Sequence, residues 1–163
     1  MAEETTISKW KGKATTQLKN TPPQQIWPLF EDFCSLHKWL PTIDTCHHVE
    51  GQHGQPGLVR YCASTVPSSN GETIIKWCHE KLVSIDPIQR CLSYEIVENN
   101  LGFTYYVVEI KVNEVDDGGC MIEWSFEADP IQGWRLEDLY GYIESSLKAM
   151  GQKMEMELQA STN

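Results

Sequence analysis

Alternating hydrophobic and polar positions begin the chain, and a helical pattern ends it. Over residues 9–18 small or apolar side chains occupy every second position, which predicts a β-strand with one buried face. Near the end of the chain the apolar positions recur every three or four residues, as on one face of a helix. These positions are Leu136, Leu139, Tyr140, Ile143, Leu147, Met150, Met154 and Leu158. No proline interrupts them, so they predict a helix of about 26 residues and roughly 39 Å.

Two short helices are predicted directly after the first strand. Asn20 and Thr21 precede a pair of prolines, and a capping residue followed by proline is typical of a helix start. A short apolar stripe follows, and Pro28 limits or bends this helix. A second helical piece is predicted over residues 35–40, because Pro41 ends it.

Six further strands are predicted between the short helices and the final helix. Turn residues separate them, including three glycines in segment 51–57 and the run Asp116-Asp117-Gly118-Gly119. Short spacers between alternating strands predict an antiparallel meander. The predicted strands cover residues 43–50, 58–65, 72–85, 91–97, 103–112 and 120–128.

This order of elements predicts an α+β fold in which a curved seven-stranded antiparallel sheet surrounds the long C-terminal helix. A single antiparallel sheet buries one face, and only the long helix is large enough to cover it. Two curved layers rarely fit at every point, so we expect a ligand cavity between them. The length of 163 residues predicts one domain over residues 1–163. We expect residues 1–6 to be disordered.

Charge and hydropathy exclude several classes of partner. The chain has 13 Lys plus Arg, 23 Asp plus Glu and a formal net charge of −10. Phosphate repels such a protein, so we expect no nucleic-acid partner and no binding to anionic membrane surfaces. No apolar run approaches the ~20 residues needed to cross a bilayer. The acidic start lacks the features of an export signal, which predicts a cytoplasmic protein, and we expect a monomer.

The cysteine pattern favours free thiols over a metal site. The six cysteines are Cys34, Cys46, Cys62, Cys78, Cys91 and Cys120, and no two form a CxxC pair. In a chain without an export signal we expect free buried thiols. Cys46-His47-His48 is the nearest approach to a ligand cluster, but adjacent strand residues point to opposite faces. With no phosphate loop or dinucleotide fingerprint either, we expect no metal and no cofactor.

Short motifs spread over residues 9–153 match, in order and spacing, those of a known family. They are Lys9-Trp10 with Gly12-Lys13, Asp32-Phe33 with Leu36-His37-Lys38, Val49-Glu50-Gly51, Val59-Arg60-Tyr61, Trp77 with Glu80-Lys81-Leu82, Trp124-Ser125-Phe126 and Gly151-Gln152-Lys153. On these motifs the sequence resembles the lachrymatory-factor synthase family of plants. That family belongs to the START and birch-pollen-allergen-like superfamily, also called the polyketide cyclase/dehydrase and lipid transport superfamily. The resemblance therefore implies the helix-grip fold.

The resemblance also implies a cavity site made of an arginine, a glutamate and a tyrosine. The family's arginine lies in the Val-Arg-Tyr stretch, which is Arg60 here, and its glutamate precedes Lys-Leu, which is Glu80. Its tyrosine follows a glycine by a few residues, as Tyr106 follows Gly102. The onion enzyme has an acidic residue directly before that tyrosine, where this chain has Tyr105. This departure leaves the trio intact and puts the identity of the substrate in question.

The activity implied by the resemblance is a cofactor-free isomerisation of an alkenyl sulfenic acid to a thial S-oxide, or a reaction of a related small substrate. In such a step Arg60 would hold the sulfenate oxygen. Glu80 would remove a proton, and Tyr106 would help to deliver one to carbon.

The residues themselves leave each role open. Glu80 shares strand parity with Cys78 and Leu82, so it is expected to face the core, where an unpaired carboxylate is costly. It is either a structural partner of Arg60 or a general base whose proton affinity the cavity raises. Arg60 is either that structural partner or the holder of a substrate oxyanion. Tyr106 is either a core tyrosine or a proton donor.

A non-catalytic carrier or sensor of a hydrophobic plant metabolite or lipid is the alternative function. The related abscisic acid receptors carry a Ser-Gly-Leu-Pro-Ala gate loop, where this chain reads Ser64-Thr65-Val66-Pro67-Ser68, so hormone sensing is not supported. Both functions require a small hydrophobic or amphipathic ligand in an internal cavity. We expect this ligand to contact Tyr94, Val108, Trp124, Tyr140, Ile143 and Leu147.

Overall fold

In the computed structural model, which describes residues 8–161, a curved antiparallel sheet is wrapped around one long helix. The seven strands lie in the order β1-β7-β6-β5-β4-β3-β2, and each neighbouring pair is antiparallel. The strands are β1 (Trp10–Leu18), β2 (Thr45–Glu50), β3 (Val59–Pro67), β4 (Thr73–Asp86), β5 (Cys91–Asn99), β6 (Tyr106–Glu114) and β7 (Cys120–Ala128). The predicted α+β helix-grip fold is confirmed. The expected disorder of residues 1–6 lies outside the described residues.

Two helices and two short 3₁₀ segments complete the fold. Helix α1 (Pro23–Glu31) and a 3₁₀ segment (Phe33–Lys38) follow β1, a second 3₁₀ turn (Asp116–Gly118) precedes β7, and α2 (Leu136–Ser161) ends the described chain. Helix α2 has 26 residues, as its apolar spacing predicts. Among residues 8–161 we find no helix with the length and hydropathy needed to span a membrane.

The start of α1 differs from the predicted cap. Pro22 is the N-cap residue and no side chain caps the helix. Thr21 is instead buried, and its hydroxyl donates a 2.8 Å hydrogen bond to Glu155 on α2. This residue therefore ties the segment before α1 to the long helix, a long-range role that local sequence does not indicate.

The strand predicted from residue 103 begins only at Tyr106. The Asn99 side chain accepts hydrogen bonds from the backbone N–H groups of Leu101 and Phe103 and donates one to the Phe103 carbonyl. These bonds, with Gly102 at φ +97°, stabilise a turn over residues that were predicted to pair as part of a strand. The turn lies at one end of the space between sheet and helix.

Helix α2 buries its predicted stripe against the concave face of the sheet. Ile143, Leu147, Met150 and Met154 are each at most 4 % exposed. Gly151 lies against β1, where a Cβ atom would come within 3.1 Å of Thr16, so this glycine permits the close approach of helix and strand. Core packing along this stripe holds α2 in place.

Replacing Met150 by Ala is expected to lower the free energy of unfolding by about 2–5 kcal/mol, because the side chain is fully buried and its removal leaves a cavity. Urea denaturation followed by circular dichroism measures the loss. Met156→Ala is the matched control on the same helix, since Met156 is 70 % exposed and should change little. Equal losses for the two variants would contradict the burial of the stripe.

Candidate functional site

A cavity of about 430 Å³ lies between the concave face of the sheet and α2. Most of its lining is apolar or aromatic, and the volume suits a small organic ligand. Trp134 and Tyr142 line it and are also 43 % and 47 % exposed, so they lie at its mouth. Glu80, Tyr106 and Trp124 line it and are buried, so their polar groups lie inside the cavity and away from its mouth.

Glu80 and Arg60 form a buried ion pair across two neighbouring strands. They face each other in the register of β3 and β4, and Arg60 Nε donates to Glu80 Oε1 at 2.9 Å. Arg60 Nη1 donates to the Phe33 carbonyl at 2.7 Å. The arginine thus connects Glu80 to the 3₁₀ segment after α1, and the prediction that Glu80 faces the core is confirmed by its 7 % exposure.

The Arg60 guanidinium lies between two aromatic rings. Its central carbon is 3.8 Å from the centre of the Phe33 ring and 4.7 Å from that of Tyr94. Burial acts to lower the pKa of Arg60, but the charge of Glu80 opposes this and the net shift is upward. The pair is therefore ionic, and its cation is held by a carboxylate, a carbonyl and two ring faces.

Arg60 does not line the main cavity. It lines a separate space of about 10 Å³, enough for about one water molecule, together with Asp32, Phe33 and Met154. Its Nη2 is buried without a hydrogen-bond partner among the described residues. The structure thus brings Glu80 and Tyr106 to the cavity, and places Arg60 in contact with Glu80 but outside the lining. Arg60 therefore contacts the Glu80 carboxylate and not the main cavity.

The two carboxylate oxygens of Glu80 have different surroundings. Oε1 accepts from Arg60 Nε and from the Cys62 thiol, whose Sγ is 3.8 Å away. Within residues 8–161 Oε2 has no hydrogen-bond partner, and Glu80 lines the cavity. One oxygen therefore fixes the side chain, and the other is available to a ligand as a proton acceptor.

Tyr106 and Trp124 supply hydrogen-bond donors to the same cavity. Burial raises the pKa of Tyr106, although the Trp124 indole N–H beside its oxygen acts to lower it. Tyr106 therefore stays protonated and keeps its O–H donor. Trp124 Nε1 is buried with no hydrogen bond of normal geometry to the described residues. The indole N–H is therefore available to a ligand oxygen as a hydrogen-bond donor.

The remaining predicted ligand contacts divide into two groups. Tyr94, Ile143 and Leu147 line the cavity beside Trp124. Val108 and Tyr140 lie outside this lining, and ligand contact by the predicted residues stays a prediction. Val108 is fully buried on β6. Tyr140 lies near Gly12 of β1 instead, where a Cβ atom on that glycine would be 3.4 Å from its ring.

Sequence reasoning missed two thiols in the lining. Cys62 and Cys78 both line the cavity, each two residues away from a member of the ion pair. The period-two rule that placed Glu80 inside would have placed these side chains inside as well. All six cysteines are free thiols; Cys91 is half-buried and the others are buried. No group of three or more His, Cys, Asp or Glu within residues 8–161 is arranged to hold a metal ion.

Buried thiols make the stability of the protein sensitive to alkali. Burial is the main cause that raises the pKa of Cys34 and of Cys120 from 9.0 to about 11. Between these values the unfolded chain loses thiol protons that the folded chain keeps, so the free energy of unfolding should fall from pH 9 toward pH 11. Urea denaturation at pH 8 and pH 10 measures this. Cys120→Ala should reduce the slope, and a flat profile would contradict the shift.

One family model matches all seven described strands and most of α2. The model for polyketide cyclase/dehydrase and lipid transport matches residues 9–157. The chain belongs to the polyketide cyclase/dehydrase and lipid transport family. Membership of this family fits a ligand-binding helix-grip protein, which agrees with the cavity described above.

Among the solved structures of similar fold are two proteins from bacilli. The protein XoxI from Bacillus cereus superposes with a TM-score of 0.71 at 20 % identity, covering 94 % of this chain and 98 % of its own. An uncharacterized protein from Bacillus thuringiensis gives a TM-score of 0.69 at 22 % identity, covering 88 % of this chain and 98 % of its own. At these identities the likeness concerns the fold alone.

Proposed function

We propose that this family member is a cofactor-free isomerase that moves a proton within a small substrate bound in the cavity. One observation carries the proposal: Glu80 is anchored through Oε1 by Arg60 and Cys62, and its side chain lines a largely apolar cavity. A carboxylate with one fixed and one available oxygen is suited to general-base chemistry. Cytoplasmic location and a monomeric state stay predictions.

Arg60 then acts as a positioning residue. Its Nε donates to Oε1 at 2.9 Å and so fixes the orientation of the Glu80 carboxylate. Since Arg60 does not line the cavity, the expected direct contact between its guanidinium and a substrate oxygen is replaced by this indirect role. Tyr106, which stays protonated, is the candidate donor that returns a proton to carbon.

The polar set favours a substrate with a hydroxyl-type head and an apolar body. A hydroxyl has one donor and two acceptor lone pairs. These match the free oxygen of Glu80 and the donors of Tyr106 and Trp124. An alkenyl sulfenic acid, as in the lachrymatory-factor synthase family that the sequence resembles, has this form. Loss of its O–H proton to Glu80 and gain of a proton at carbon shift the C=C bond to C=S and give a thial S-oxide.

Two measurements test this function. Protein added to an alkenyl sulfenic acid generated in situ should increase the yield of thial S-oxide in proportion to its concentration. In D₂O the product should carry deuterium at the protonated carbon. Native mass spectrometry of protein purified from its own source identifies any bound small molecule. A ligand that binds and leaves unchanged would overturn the isomerase and favour the carrier, which the largely apolar lining also fits.

A further inference from the structure

Three cysteine side chains lie side by side across β2, β3 and β4. Cys46 pairs with Cys62 in the β2–β3 register, and Cys62 pairs with Cys78 in the β3–β4 register. The Sγ atoms of Cys46 and Cys62 are 3.6 Å apart. Cys62 and Cys78 also line the main cavity. Beyond the hydrogen bond from Cys62 to Glu80 Oε1, this row of thiols, with Cys62 at its centre, has no part in the proposed isomerisation.

Cys62 is the thiol with a base beside it. Its Sγ donates to Glu80 Oε1 across 3.8 Å, and Arg60 Nε orients that same oxygen from 2.9 Å. In activated thiols the sulfur lies within hydrogen-bond reach of a base, and a third group orients that base. Here Cys62 is the thiol, Glu80 is the base and Arg60 is the orienting group, on the sheet side of the cavity.

The resting thiol is protonated. Although the hydrogen bond from Cys46 acts to lower the pKa of Cys62, the neighbouring Cys78 thiol and burial raise it overall. A protonated thiol reacts slowly with reagents from solution, because the thiolate is the nucleophile. Cys62 therefore depends on a bound electrophile held next to it, which gains from proximity, and on Glu80 to take its proton.

The rest of the cavity suits an electrophile with a carbonyl group and an apolar chain. Tyr106 and Trp124 present O–H and N–H donors, which polarise a carbonyl oxygen. The apolar lining accepts a hydrocarbon tail. A neutral ligand is favoured at the buried end, because Glu80 is the buried charged residue of the lining, Arg60 does not line the cavity and Lys76 lies at an exposed position.

We propose that Cys62 captures α,β-unsaturated carbonyl compounds covalently in this cavity. The Cys62 sulfur forms a bond with the β-carbon, and the C=C π electrons move to the α-carbon. The thiol proton passes through Glu80 to that α-carbon, so the adduct contains all atoms of both partners and no oxidant or reductant is consumed. This capture goes beyond the proposed isomerase and does not depend on it.

The test uses trans-3-nonen-2-one, a neutral enone with an apolar chain that forms no aldehyde-type Schiff bases. Wild-type protein is expected to gain the full mass of one enone by intact mass spectrometry, and peptide mapping should place it on Cys62. The saturated nonan-2-one, which cannot react, should compete and slow the gain. Iodoacetamide, which lacks the tail, should modify the half-buried Cys91 before Cys62.

Substitutions test the thiol and the base of the proposal separately. Cys62→Ser should abolish the adduct, whereas Cys78→Ser, the matched change at another cavity thiol, should retain it. Glu80→Gln should slow adduct formation by at least about 10-fold, as expected for loss of a general base. An adduct on Cys91 instead of Cys62, or no competition by nonan-2-one, would overturn the proposal. The competition needs no variant, so it decides even if Cys62→Ser does not fold.

Discussion

The Glu80→Gln variant is expected to stay folded and to lose isomerase turnover by about 10²–10⁴-fold. The amide oxygen still accepts the hydrogen bond from Arg60 Nε, but the amide has no oxygen that can take a proton as a base. Removing the negative charge beside Arg60 should cost at most about 3–5 kcal/mol, because the Phe33 carbonyl and two ring faces still contact the guanidinium.

Stopped-flow or product-yield kinetics measure the loss, with thermal denaturation as the check on folding. Glu98→Gln is the matched control, since Glu98 lies on β5 outside the cavity lining and its side chain is 68 % exposed. It should keep full turnover. Ligand binding by Glu80→Gln should survive, because the cavity shape is unchanged. Full turnover in Glu80→Gln would remove Glu80 from the chemistry and leave the carrier as the better function.

Local periodicity was sufficient to predict most of the fold. The bounds of β7 agree with the predicted 120–128, because its buried residues alternate without interruption. The three-to-four spacing predicted α2, since no proline or turn competes with a helix there. Parity along β4 placed Glu80 on the inside. In each case the signal lies within one element, where side-chain direction follows directly from backbone period.

Features that depend on two elements could not be predicted in this way. Tyr140 and Ile143 belong to one apolar stripe, but Ile143 lines the cavity while Tyr140 lies near β1. The difference depends on the rotation of α2 against the curved sheet. Arg60 has the parity of a cavity residue, yet the 3₁₀ segment that carries Phe33 holds its guanidinium outside the main lining.

The hydrophobic pattern of one strand also does not indicate which residues of the neighbouring strand lie opposite it. Cys46, Cys62 and Cys78 are adjacent only because the β2–β3 and β3–β4 turns align them, and turn length with bulges sets that alignment. The β2–β3 ladder shifts between His48 and Glu50, which counting residues does not indicate. The row of thiols and its contact with Glu80 are therefore results of the structure.

Replacing Arg60 by Leu is expected to lower the free energy of unfolding by about 3–5 kcal/mol, because it leaves the Glu80 carboxylate buried without its cation. It also removes the hydrogen bond to the Phe33 carbonyl, so the 3₁₀ segment after α1 loses its connection to β3. Turnover should fall as well, since Arg60 Nε no longer orients the Glu80 carboxylate. Urea denaturation and the isomerase assay measure the two effects on one preparation.

Two further variants decide whether the buried charge or the side-chain geometry matters. Arg135→Leu is the control, because Arg135 forms an exposed ion pair with Asp138 and should cost less than about 1 kcal/mol. Arg60→Lys keeps a cation but not the planar group that contacts Glu80 and Phe33 together, so it should recover part of the stability and little of the turnover. If Arg60→Leu were as stable as the wild type, the Arg60–Glu80 pair would not hold this side of the cavity. If Arg60→Lys were fully active, Arg60 would act through its charge alone and not by orienting Glu80.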